Sequence, residues 1–217
     1  MIHTFSGVGG EGGQGSSVAF SPDGARILSG DTIFGALELW DAKSGELIRT
    51  MHSTGGAVAS VAFSPDGTRL VSGGFHNTPK LWDARSGQLI QTLNGHLRGV
   101  RSVMFSGNGA RLISGGEDGT IRIWKASTGE LLASLIAVKD GEWIAVTPEG
   151  FFQGSANGAK MLSVVRGLEV HSGERFQEVL HRPDLVREKL AGDPVGRVRQ
   201  AAATLDLAKL MKNSARP

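Results

Sequence analysis

Apolar residues recur along most of the chain in short runs, each broken by a turn. Val18-Ala19-Phe20 leads into Ser21-Pro22-Asp23-Gly24, Val61-Ala62-Phe63 into Ser64-Pro65-Asp66-Gly67, and Val103-Met104-Phe105 into Ser106-Gly107-Asn108-Gly109. A second run follows each turn: Ile27-Leu28-Ser29-Gly30, Leu70-Val71-Ser72-Gly73 and Leu112-Ile113-Ser114-Gly115. A third ends at Trp40, Trp82 and Trp124, spaced 42 residues apart, and a fourth follows a Ser-Gly or Thr-Gly turn. Short β-rich runs bounded by Gly, Pro, Asp and Ser read as strands, because Pro presets φ and Gly accepts positive φ in the turns between them. The pattern predicts strands at 17–21, 25–30, 36–40 and 46–51, then 58–63, 69–73, 79–83 and 88–93, then 100–105, 111–115, 120–124 and 130–135. Pro79 opens one of them, a position where Pro is tolerated.

A four-stranded sheet of this size cannot bury both faces alone. Stacking like units face to face solves that, and a fixed period is its signature. The Trp-Asp pairs (Trp40-Asp41, Trp82-Asp83), the Gly95-His96 ahead of a first strand and the 42-residue period resemble the WD-repeat β-propeller family. The resemblance implies an all-β fold: a partial or small β-propeller of three clear four-stranded blades near 16–51, 57–93 and 99–135. It also implies a structural tetrad, complete in the third unit as His96, Ser114, Asp118 and Trp124. The second unit keeps Ser72 and Trp82 but has Thr54 and His76 at the other two places; the first keeps Ser29 and Trp40 and has Glu11 at the His position.

A divergent fourth blade is expected near 142–165. Glu142 to Thr147 reads as a strand, Pro148-Glu149-Gly150 replaces Pro-Asp-Gly, Phe151 to Ser155 is a second strand and Met161 to Val165 a third. This stretch resembles the atypical closing segment of some bacterial proteins of the same family. The propeller region is thus expected over 1–165 and a short α-helical tail over 166–217. In the tail, Ser172 caps one predicted helix, Pro183-Asp184 opens a second that ends at Gly192, and Asp193-Pro194 opens a third. Val195, Val198, Ala202, Leu205 and Ala208 keep helical spacing, which predicts a face packed against the propeller. Near the N-terminus, residues 7–15 hold six glycines, a flexible opening. Ile2 to Phe5 is the best candidate for a strand added beside the fourth blade.

Composition narrows the function classes. There is no cysteine, which removes disulfides, thiolate metal sites and a cysteine nucleophile. No apolar run approaches membrane-spanning length, and Met1 to Phe5 carries no signal-peptide pattern. The expectation is a cytoplasmic protein. Residues 1–165 carry 13 Lys/Arg against 14 Asp/Glu, and residues 166–217 carry 10 against 7. The dense basic patch that nucleic acid requires is missing, so no nucleic-acid partner is expected. The six histidines do not pair at ligand spacing, and neither a metal nor a cofactor is expected.

Ser114, His96 and Asp118 are the residue types of an acyl-transfer triad. No Gly-x-Ser-x-Gly elbow surrounds Ser114, and all three fall at tetrad positions, so a buried structural hydrogen-bond chain is the expectation and catalysis is not. The resemblance implies binding of other proteins or peptides through loops at one end of the blades. It points to Phe75, His76, Asn77, Arg98, Arg101 and Glu117 as candidate contact residues. The function expected is a non-catalytic protein–protein interaction scaffold; the alternative is a regulatory or sensor fragment of a larger multidomain, enzymatic protein. Three clear units and one partial unit leave four outcomes: a small closed ring, an open arc, a fragment of a longer protein, or half of a ring completed by self-association of two copies.

Overall fold

The computed structural model describes residues 15–53, 56–138, 140–166 and 169–206. It divides into two compact units, Met1–Glu130 and Leu131–Pro217. Glu11, Thr54, the glycine run up to Gly13, the proposed strand at Ile2 to Phe5 and Ala208 lie outside the described residues.

The first unit is built from antiparallel sheets. Strands β1 (Gly15–Phe20), β2 (Arg26–Asp31), β3 (Ala36–Asp41) and β4 (Leu47–His52) form one sheet in sequence order. Strands β5 (Val58–Phe63), β6 (Arg69–Gly74), β7 (Lys80–Asp83) and β8 (Leu89–Thr92) form the next. Strands β9 (Val100–Phe105), β10 (Arg111–Gly116) and β11 (Thr120–Lys125) pair in the same way.

The turns follow from their residues. In Ser21-Pro22-Asp23-Gly24 the Gly24 N–H donates to the Ser21 carbonyl at 2.8 Å, Gly24 takes a φ of 68°, and Asp23 accepts from Ser21 Oγ and from the Ala25 N–H. The Asp of each Trp-Asp pair caps the next turn. Asp41 accepts the N–H groups of Lys43 and Ser44 at 3.0 and 2.7 Å, and Asp83 those of Arg85 and Ser86 at 3.1 and 2.7 Å. Pro79 sits just ahead of β7, where its missing N–H costs nothing and its carbonyl accepts from Leu93 at 2.8 Å.

Core strands are buried on both faces. Leu28, Leu37, Leu39 and Met51 of the first sheet share one cluster with Val58, Val61, Leu70 and Trp82 of the second. In the first two sheets an arginine at the start of the second strand, next to the residue that lies opposite the Trp, fastens that strand to the following sheet. Arg26 donates to the Gly67 carbonyl at 3.0 Å and lies 5.5 Å over the Phe63 ring. Arg69 donates to the Gly109 and Ala126 carbonyls at 3.2 and 3.0 Å and lies 5.6 Å over Phe105.

The second unit opens with β12 (Leu131–Ala137), which pairs with β13 (Trp143–Val146), which pairs with β14 (Phe152–Gly154). The expected third strand of the divergent blade forms as β15 (Ser163–Arg166), but its partner is β16 (Glu169–Ser172) in a separate hairpin. Helices α1 (Gln177–Leu180), α2 (Pro183–Leu190) and α3 (Arg197–Thr204) follow.

Two expectations about the C-terminal part are revised. The boundary expected at 165/166 falls inside this unit, because Ile144, Phe151 and Phe152 of the strands share one core with Phe176, Leu180, Leu185, Val186 and Val198 of the helical segment. The helical face was expected to meet the propeller; Val198, Ala202 and Leu205 instead pack into this unit's own core, and Val195 is exposed. Asp193 caps as its residue type requires, accepting from the Val198 and Arg199 N–H groups at 3.0 and 3.2 Å, but the helix starts at Arg197 rather than Pro194.

Removing the arginine fastener has a calculable cost. Arg69→Ala deletes two charge-assisted donors and a ring contact, and should destabilise by about 2 kcal/mol in urea unfolding. Lys43→Ala, on an exposed turn, should change stability by less than about 0.5 kcal/mol.

Candidate interaction surface

The β10–β11 register places Leu112 opposite Trp124. Ser114, two residues on, is therefore a same-face diagonal neighbour of Trp124. Trp124 Nε1–H donates to Ser114 Oγ at 2.9 Å. With its lone pair so engaged, the Ser114 hydroxyl donates onward to His96 Nε2 at 2.8 Å, and the His96 Nδ1–H points to the Asp118 carboxylate at 3.0 and 3.1 Å. Asp118 also accepts from the Leu97 N–H at 2.9 Å, the Thr120 N–H at 3.1 Å and the Thr120 hydroxyl at 2.7 Å. Every link has a donor meeting an acceptor, which is what buried polar groups require. Burial alone would raise the Asp118 pKa, but the bonds from Leu97, Thr120 and His96 outweigh it and hold the carboxyl well below its ordinary value.

His96, Ser114, Asp118 and Trp124 thus meet in one chain. The order Ser–His–Asp is that of an acyl-transfer triad, yet Ser114 and His96 are buried and the indole N–H occupies the serine oxygen. The arrangement offers no nucleophile to a substrate and ties the loop before β9 to the β10–β11 turn. Gly116 makes it possible: a Cβ there would lie 2.4 Å from His96 Nδ1 and 2.6 Å from Asp118 Oδ1. Half of the chain recurs elsewhere, with Trp40 Nε1 donating to Ser29 at 3.0 Å and Trp82 Nε1 to Ser72 at 2.9 Å. His76, in the second unit's Asp position, is half-buried; burial and the neighbouring Lys80 charge push its pKa down against a bond to the Gly56 backbone.

The candidate contact residues lie around this fastening. Phe75, on the β6–β7 loop, is 57% exposed, and the Arg101 guanidinium of β9 lies 4.9 Å over its ring. Arg101 reaches Glu117 of the β10–β11 turn at 2.5 Å. Phe75, Arg101 and Glu117 therefore form one stacked group, and Gly99 packs beside both Phe75 and Glu117. Asn77 and Arg98 are exposed on the same loops. Leu97 is 81% exposed although its N–H is held by Asp118.

Two residues of this end were missed from sequence. Ile33 and Phe34 project from the β2–β3 loop, exposed, with their N–H groups held by the buried Asp31 carboxylate at 3.0 and 2.7 Å. An Asp two residues after the serine, Ser29-Gly30-Asp31, was the available signal. Thr120 was also missed. Among the described residues no three His, Asp or Glu side chains come together as a metal site.

Repeated antiparallel sheets, two of them four-stranded, with a Trp–Ser pair in each of three, define β-propeller blades. The family model for the WD domain, G-beta repeat, matches residues 45–83 and 87–125, so these segments are WD repeats. Each match starts at the outer strand of one sheet and ends at the third strand of the next: β4 with β5 to β7, then β8 with β9 to β11. No curated protein matches the chain.

Two measurements probe the fastening. Ser114→Ala leaves Trp124 and His96 without their shared partner and should cost about 3 kcal/mol in chemical unfolding, with Trp124→Phe costing about 1 kcal/mol. The Asp118 carboxyl is depressed in the folded state, so its contribution is fully present above the ordinary carboxylate pKa and is lost as pH falls through the folded value. Stability should therefore fall on acidification below about pH 4, and Asp118→Asn should flatten that limb of a urea-midpoint-against-pH curve.

Proposed function

We propose that the chain is a non-catalytic scaffold that binds another protein or a peptide on the loop end of its blades. WD repeats in general mediate protein–protein interaction, and no helix among the described residues is long and apolar enough to cross a membrane. The observation that carries the reading is the combination at Leu97: a large apolar side chain 81% exposed, on backbone pinned by a buried carboxylate. Ile33, Phe34 and Phe75 are exposed on equivalent loops, and Arg98, Arg101 and Glu117 supply a polar border. Apolar groups presented on ordered backbone bind at low entropic cost, and exposed apolar patches rimmed by polar residues mark interaction sites. Arg101, held over the Phe75 ring, is of a residue type enriched at the energetic centres of interfaces.

The test is selection of linear peptides from a random displayed library on the full chain, followed by fluorescence anisotropy. Leu97→Asp and Phe75→Ala should each weaken binding about tenfold or more, equal to about 1.4 kcal/mol, with an unchanged unfolding midpoint. Selected peptides that bind both variants as tightly as the parent would overturn the reading.

A further inference from the structure

The chain contains its own reference for what a blade face needs. The interface between the first and second sheets has four parts. Ser17 Oγ accepts the Val61 N–H at 3.1 Å. Arg26 stacks on Phe63 and donates to the Gly67 carbonyl. Gly30 leaves the space that Val61 and Val58 fill, a Cβ there lying 3.1 Å from Val61 Cγ1 and 2.6 Å from Val58 Cγ1. Gly67 faces Pro22 and Arg26.

The second interface repeats the first. Ser60 Oγ accepts the Val103 N–H at 3.1 Å, Arg69 stacks on Phe105 and donates to the Gly109 carbonyl, and Gly73 makes room for Val100 and Val103 at 2.7 and 2.8 Å. One side of each interface is thus a serine, an arginine nine residues on and a glycine thirteen on: Ser17, Arg26, Gly30, then Ser60, Arg69, Gly73. The other side is a valine, a phenylalanine two residues on and a glycine six on: Val61, Phe63, Gly67, then Val103, Phe105, Gly109.

Each pattern occurs once more, unmatched. The third sheet carries Ser102, Arg111 and Gly115 at the same spacing. Ser102 and Arg111 are exposed, and among the described residues a Cβ on Gly115 would meet nothing nearer than Ser102 at 4.0 Å. The first sheet carries Val18, Phe20 and Gly24. Val18 and Phe20 are 72% and 66% exposed, where Val61 and Val103 are 6% and 5%, and none of the described residues lies within 4 Å of a Cβ on Gly24. Among the described residues of this unit, two complementary halves of an interface that the chain forms twice are therefore unmatched.

We propose that they join between copies: the Ser102–Arg111–Gly115 face of one molecule receives the Val18–Phe20–Gly24 face of a second. Val18 and Phe20 lose their exposure, Arg111 stacks on Phe20 and donates to the Gly24 carbonyl, and Ser102 accepts the Val18 N–H. The contact is heterologous, head to tail, so repetition closes a ring or extends a row. It uses faces between blades, and stands independently of binding at the loop end.

The chain has no cysteine, so disulfide cross-linking starts from a zero background. In the two reference interfaces the glycine Cβ position lies 3.1 and 2.8 Å from the valine Cγ1, a spacing a disulfide spans. Val18→Cys and Gly115→Cys chains are prepared separately, and mild oxidation is followed on non-reducing gels. The mixture should yield a cross-linked dimer, each variant alone should not, and Phe20→Glu in the Val18→Cys chain should abolish the product. Light scattering on the unmodified chain should give a mass above that of one molecule. Cross-linking of either variant with itself would mean a two-fold contact and overturn the proposal. A monomer mass without cross-links would mean that the faces are covered by other segments of this chain or await a different protein, and would overturn it too.

Discussion

The repeated sheets depend on one constraint: an inner strand whose two faces are both apolar has to find a neighbour for each. Leu28, Leu37 and Leu70 are completely buried, in one cluster that the first and second sheets share. Hydrogen bonding within a sheet holds its strands together but leaves the faces wet, and a single small sheet is marginal in water. The stack supplies the missing burial. Its contacts are mostly dispersion and apolar packing, made directional by a few polar groups: the serine hydroxyl that takes a neighbour's N–H, and the arginine that crosses to a neighbour's turn.

The buried chain from Trp124 to Asp118 solves a different problem. Loops at the end of a sheet have few apolar contacts, and without anchorage they would lose order. Asp118 gathers the backbone of Leu97 and Thr120 while His96 links it to the sheet through Ser114. An exposed leucine is thereby held on backbone that cannot wander. The same residues that suggest hydrolysis by type serve here as a fastener, because the indole N–H and burial remove the serine from reach.

The repeats were legible because turn chemistry and period agree. Ser-Pro-Asp-Gly and Trp-Asp placed β1 to β8, and Ser-Gly-Asn-Gly with the 42-residue period placed β9 to β11, to within a residue or two, since the turn residues have specific bonds to make. The tetrad was legible in type and spacing; Thr120 was not, because a threonine at the start of a strand has no distinguishing pattern. The C-terminal unit was harder. Phe151-Phe152 and Ile144 read as blade strands, yet what they bury comes from residues 176 to 198, a long-range pairing that no local period announces. The start of α3 slipped by three residues because Asp193, with a φ of 51°, reaches forward to Val198 across an irregular turn that ends at the left-handed Gly196.

The most direct test of the account is native-state hydrogen exchange resolved to single strands. If sheets persist because both faces are covered, the middle sheet β5–β8 has the slowest-exchanging inner-strand amides, and β1 on the open first face opens earlier. Equal protection of β1 and β5, or faster exchange in β5, would show that each sheet stands on its own bonding, and would contradict the dependence on neighbours.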